Sequence, residues 1–125
     1  MNYKINIKSE REGLDMTYLE YFTSVKKEFE GADVSDIREH LAYQFNVIGD
    51  DGAGIFYVEV KDGKLYIEPY EYYDRDAIFI ATADTFTSIM NGKMDPVWAF
   101  TFQKLKVEGN IEKALKLREL RARKK

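Results

Sequence analysis

The sequence contains no cysteine and a single histidine, His40. Without cysteine there are no disulfides, thiolate nucleophiles or zinc–cysteine sites. A reducing compartment suits such a chain, and the cytoplasm is its expected location. With one histidine there is no paired-histidine metal site. His40 stands without another histidine or a cysteine near it, so a structural or surface role is expected. Long apolar runs are missing too. None approaches the roughly 20 residues that cross a bilayer, and the stretch from Met1 to Glu12 is too charged for a secretory signal. Two prolines leave no proline-rich linker. Gly49-x-x-Gly52-x-Gly54 has neither the dinucleotide-binding spacing nor the Lys-Ser/Thr of a P-loop, and reads as a hairpin loop. Carboxylates are numerous but scattered, and no general acid–base pair can be picked out. No catalytic residue, metal or cofactor is expected.

At 125 residues, with 45% apolar and 33% charged side chains, the chain has the composition of one soluble domain with a real core. The charge is unevenly spread. Residues 110–125 hold seven basic and two acidic side chains, a local +5 on a chain of net charge −3, so the remainder carries −8. One reading is a helix end whose cations complement the backbone dipole, followed by a solvated tail. Another is a docking patch for anionic lipid headgroups, made by Lys116, Arg121, Arg123, Lys124 and Lys125. Aromatic side chains are plentiful, with nine Tyr and eight Phe, but the strands that carry them are acidic or neutral. Base-stacking platforms interleave rings with cations, so no nucleic acid is expected.

Periodicity gives the elements. Residues 1–16 are poorly patterned apart from a short strand pattern at 3–7. Thr17 and Glu20 form a capping box. The helix behind it puts Tyr18, Phe22, Val25 and Phe29 on one stripe and stops at Gly31. A second short helix is expected from Asp33, with Ile37 and Leu41 inward. The period then shortens to 2 for a half-buried strand with Tyr43, Phe45 and Val47 on one face. Ile55 to Val60 is a second strand, and Asp62-Gly63 predicts a type I′ hairpin into a third at 65–67. Ala77 to Ala81 is apolar on both faces. A helix over 83–91 carries Phe86, Ile89 and Met90 and ends at Gly92. Asp95-Pro96 starts another helix, with Trp98, Ala99 and Phe102 expected inward. Leu105 and Val107 lie in a last strand. Asn110 caps a final helix with Ile111, Ala114, Leu115, Leu117 and Leu120 on one stripe. Successive strands with helices clustered at each end read as α+β. Phe45, Phe56, Phe86, Met90, Trp98, Phe100 and Phe102 are bulky for so small a core. They either fill it or line a cavity, and pattern alone does not decide.

The order and spacing of Gly92-Lys93, Asp95-Pro96, Ala99-Phe100, Lys104-Leu105-Lys106-Val107, Gly109-Asn110 and Ala114-Leu115-Lys116-Leu117 resemble the sterol carrier, or nonspecific lipid-transfer, domain. The resemblance covers about residues 17–120, with 1–16 as a leading segment and 121–125 as a basic tail. It implies a five-stranded, mainly antiparallel sheet with helices on one face, and a hydrophobic tunnel between them. The implied ligand is a fatty acid, acyl-CoA, phospholipid or sterol, with no chemistry and no cofactor. The implied contacts are Phe45, Phe56 and Val58 on strands, and Phe86, Ile89 and Met90 on the first helix after them. Trp98, Phe100 and Phe102 follow, then Leu105, Leu115 and Leu117.

The sequence departs from the family in three places. Gln103 stands where the family usually has Gly, and a larger side chain there is expected to reshape the tunnel beside Leu105. Ile78 and Ile80 stand where threonines are common. They call for a cover, either the N-terminal segment or a partner chain, which would make a homodimer. The chain ends Arg-Lys-Lys, not in a Ser-Lys-Leu peroxisomal address. Two other functions compete with lipid carriage. One is a homodimeric or enzyme-docking module with a closed cavity. The other is an enzyme acting on a lipid-like substrate, for which no acid or base is identified.

Overall fold

The computed structural model describes residues 17–49 and 52–122, without the side chains of residues 118, 121 and 122. The expected strand at 3–7 and the tail cations Arg123, Lys124 and Lys125 lie outside the described residues, as does the Arg121 side chain. In chain order the elements are α1 (Tyr18–Phe29), β1 (Leu41–Ile48), β2 (Gly54–Lys61), β3 (Lys64–Glu68), β4 (Ala77–Thr82), α2 (Ala83–Met90), α3 (Pro96–Thr101), β5 (Lys106–Gly109), α4 (Ile111–Leu115) and α5 (Leu117–Ala122). The strands form one sheet in the order β3-β2-β1-β4-β5. Neighbours are antiparallel except β1 and β4, which run parallel. The sheet is thus mixed and mostly antiparallel.

Local chemistry sets most boundaries. Thr17 and Glu20 close the capping box at the start of α1. Asp62 and Gly63 both have positive φ, 53° and 73°, which is the type I′ geometry that a two-residue hairpin needs. Asp95 caps α3 through the Trp98 N–H, with Pro96 in the first turn. Asn110 caps α4 through the Lys113 N–H. The final helix breaks at Lys116, where Lys116 N–H donates to Lys113 O and Glu119 N–H donates to Lys116 O, three residues back in each case.

The helix expected from Asp33 does not form. The Asp33 carboxylate accepts from both the Ser35 N–H at 3.1 Å and its hydroxyl at 2.8 Å, closing an Asx turn that competes with the helical ladder. Leu41 is buried as expected, but it opens β1. Nor is β1 half-buried: as the central strand it is covered on both faces from Leu41 to Phe45. Its inner face, with Tyr43, Phe45 and Val47, turns to the helices: Phe45 packs against Phe86, and the Tyr43 hydroxyl donates to the Lys113 carbonyl. Over its outer face lies the connection 69–76. Gln44, 2% exposed, accepts from the Tyr72 N–H at 3.1 Å and donates to Asn46 at 2.8 Å. Ile78 and Ile80 lie on this outer face, half-buried between Gln44 and Asn46 of β1 and Glu108 and Lys106 of β5.

His40 belongs to the same outer side. Its Nε2 lies 2.7 Å from Glu59 Oε2, and the Tyr72 hydroxyl donates to that oxygen. Tyr72 thereby fastens the connection 69–76 to the sheet, and the His40 ring packs edge-on against the Tyr72 ring.

Candidate binding cavity

The inner sheet face and the helices do not close completely on each other. Between them lies a cavity of about 390 Å³, within the range of small-molecule sites. The sheet supplies Phe45, Phe56 and Phe79. Phe45 is the hub, with ring centroids at 4.9 Å from Phe56, 5.2 Å from Phe79 and 5.4 Å from Phe86. Phe45 and Phe56 face each other directly across β1 and β2, their planes 3° apart. From α1 come Tyr21, Val25 and Phe29, one side chain per helical turn. Phe86, Ile89 and Met90 of α2 stand opposite.

The rim is set by α3 and α4. Val97, Phe100, Ile111 and Leu115 line the cavity and are also substantially exposed, which identifies them as its mouth. Tyr21 and Asp95 are the lining residues with a side-chain oxygen, and among the described residues no Lys, Arg or His joins the wall. Asp95 is occupied as a helix cap, accepting from the Trp98 N–H at 2.9 Å. Burial pushes the Tyr21 phenol well above its ordinary range, so it stays neutral at physiological pH. The wall therefore offers mainly apolar surface and no cation for a buried headgroup.

Several residues expected from the sequence meet here: Phe45, Phe56, Phe86, Ile89 and Met90 inside, Phe100 and Leu115 at the rim, and Leu105 and Leu117 beside them. Val58, Trp98 and Phe102 do not. Val58 is fully buried, but lies further along β2 and off the wall. Trp98 and Phe102 are corrections to the inward stripe expected on α3. They are 44% and 60% exposed and pack against each other outside, their ring centroids 4.7 Å apart and their planes tilted by 35°. Ala99 points inward instead, fully buried. Its carbonyl accepts from both the Lys104 and Leu105 N–H groups as the chain doubles back, and that close approach favours the smallest side chain. The sequence reading omitted Tyr21 and Phe79 from the site, and Val97 and Ile111 from its rim. The i, i+4, i+8 spacing of Tyr21, Val25 and Phe29 was the available signal for Tyr21.

Gln103 acts differently from the expectation. Its side chain is exposed and off the cavity wall. What differs is its backbone, at φ 63°. Lys116 of the expected docking patch is paired, with Nζ 2.6 Å from Glu39 Oε1.

These features define a small α+β domain that keeps an apolar chamber between its sheet and its helices. Residues 24–121 match the SCP-2 sterol transfer family, and the chain belongs to that family. It is similar to hydroxysteroid dehydrogenase-like protein 2 of Mus musculus, with 37% identity over 79 residues, which are 62% of this chain and 16% of the mouse protein. It is also similar to human sterol carrier protein 2, with 38% identity over 63 residues, or 50% of this chain and 12% of the human one. The chain thus spans a small part of the length of these relatives. Among solved structures, sterol carrier protein 2 of Aedes aegypti in complex with palmitate shares the fold, with a TM-score of 0.58 at 19% identity over 90% of this chain and all of that one.

Proposed function

We propose that this chain is a noncatalytic carrier working in the cytoplasm, which takes a single acyl chain tail-first into the cavity. The observation that carries the reading is the wall itself, apolar but for the Tyr21 hydroxyl and the Asp95 carboxylate, with no cation to hold a carboxylate inside. The headgroup therefore stays at the mouth. The Aedes aegypti relative bound to palmitate supports an acyl ligand. Noncatalytic carriage is supported by where the titratable groups sit. His40 and Glu59 are tied together on the far face of the sheet, and Asp95 is engaged in capping.

The energetics suffice. A buried 16-carbon chain at about 0.8 kcal/mol per methylene gives roughly 13 kcal/mol gross. Association removes about 4 kcal/mol or more, which leaves affinity near micromolar. The test is calorimetry and native mass spectrometry of delipidated protein with palmitate, acyl-CoA, a sterol and a phospholipid. A one-to-one complex and a melting temperature raised by several degrees at about a hundredfold excess over Kd are expected. Ile89→Trp, which fills the chamber, should weaken palmitate binding about tenfold or more while the protein stays folded. Absence of binding and of any thermal shift across the panel would sink the carrier reading. An empty protein that runs as a dimer would support the face carrying Ile78 and Ile80 instead.

A further inference from the structure

Helices α3 and α4 expose more large apolar side chains than a solvated surface needs. Val97, Phe100, Ile111 and Leu115 ring the cavity mouth, and Trp98 and Phe102 stand beside them on the neighbouring face of α3. Contiguous apolar surface of this kind marks a contact site. Its chemistry is that of a bilayer interface. Tryptophan and phenylalanine project from a short helix that lies along the surface, where amphipathic rings settle at headgroup level. Lys93 and Lys104 flank α3. Both are exposed, and among the described residues neither has an ion-pair partner. Asp95 and Glu112 are also exposed there, so the attraction is that of two lysines, not of a cluster. Burial of the rings carries the affinity, and the lysines bias it toward anionic lipid.

We infer that the α3–α4 collar is the membrane-docking surface, and that it seats the cavity mouth against the headgroups of an anionic bilayer. The surface is distinct from the basic C-terminal residues. A protein partner seated there would close the mouth, whereas a bilayer supplies what the cavity takes. The inference rests on the carrier reading for its purpose and on the exposed collar for its evidence.

The experiment uses the full chain with phosphatidylcholine vesicles, with and without phosphatidylserine. Trp98 is the sole tryptophan and reports directly. Its emission should shift to the blue on anionic vesicles, and lipids carrying a quencher near the headgroup should quench it. Phe102→Ser should weaken vesicle association about tenfold, and Lys93→Ala and Lys104→Ala about fivefold each. Palmitate binding without vesicles should not change in Phe102→Ser, because Phe102 is off the cavity wall. That arm separates the two readings: lost palmitate binding in the unmodified protein counts against the carrier, lost vesicle association against the collar. Association that leaves Trp98 emission unchanged would overturn the proposal, since another surface is then in contact. A blue shift that follows protein concentration without vesicles would overturn it in favour of a second copy of the chain.

Discussion

Gly92 and Gln103 occupy the same place at the ends of two successive helices. Each follows the C-cap in left-handed backbone, at φ 81° and 63°. In both, that residue's N–H reaches back three residues, to Ile89 O or Phe100 O, and the next N–H reaches back five, to Ser88 O or Ala99 O. This is the Schellman arrangement, which favours glycine. One site has the residue the geometry prefers and the other does not.

A non-glycine residue in this region costs about 1–2 kcal/mol, offset by the roughly 0.4–1 kcal/mol that glycine costs through the unfolded chain. Gln103→Gly should therefore stabilise the fold by up to about 1 kcal/mol, and Gly92→Ala should destabilise it by about that much. Urea unfolding with an unchanged slope measures both. Equal losses in the two variants would mean that the Gln103 side chain carries a contact of its own.

The ring cluster around Phe45 makes a second prediction. Phe45→Ala removes one face from three ring contacts and adds its volume to the chamber. The expected loss is about 3–5 kcal/mol, a large share of the total for a domain of this size. Chemical denaturation checks it. A cost below about 1 kcal/mol would mean that the site collapses around the deletion and that the rings do not hold the chamber open.

Alkaline pH should unfold the protein early. The hydrogen bond to Glu59, then burial, pushes the Tyr72 phenol up to about 12. Burial pushes Tyr21 and Tyr43 well above their usual range, and for Tyr43 the nearby Asp76, Glu39 and Glu119 add to the effect. A phenol whose folded pKa is raised contributes stability that is whole below the unfolded value of about 10. That stability is lost as pH rises toward the folded value, because the unfolded chain releases its protons first. Stability should hold up to about pH 10 and fall steeply above it. Tyrosinate absorbance should appear together with the loss of circular dichroism. Ionisation of all nine tyrosines before any unfolding would contradict the burial assigned to Tyr21 and Tyr43.

Much of the fold was legible because its signals are local. The Thr17–Glu20 box, the Asp62-Gly63 turn, the Asp95-Pro96 start and the Asn110 cap each depend on a few adjacent residues, and all appear in the structure. What the sequence concealed depends on distant contacts. Gln44 reads as a solvent-facing residue until the connection 69–76 closes over it. The rotation of α3 follows from the chain doubling back onto the Ala99 carbonyl, and no periodicity in six residues encodes that. The family resemblance, and not hydrophobic pattern alone, placed the wall residues named from the sequence, and they are under half of the lining. Neither could separate Phe100, at the mouth, from Phe102, outside it.

The pairing of Lys116 with Glu39 separates the two candidate membrane contacts. The Lys116 ammonium is held charged chiefly by its hydrogen bond to Glu39, but that carboxylate already neutralises it. An exposed pair of this kind is screened by solvent and contributes little, so Lys116→Ala should leave stability nearly unchanged. It should also weaken association with phosphatidylserine vesicles far less than Lys93→Ala or Lys104→Ala, whose cations are free to meet a headgroup. Glu39→Gln is the complement, since it releases the Lys116 charge and should modestly strengthen association at low salt. Added salt should erase that gain within the range where a Debye length shrinks below about 8 Å. Suppose instead that Lys116→Ala weakens association as much as the α3 lysines do, and that removing residues 123–125 abolishes it. The C-terminal cations are then the membrane contact, and the collar around Trp98 is not.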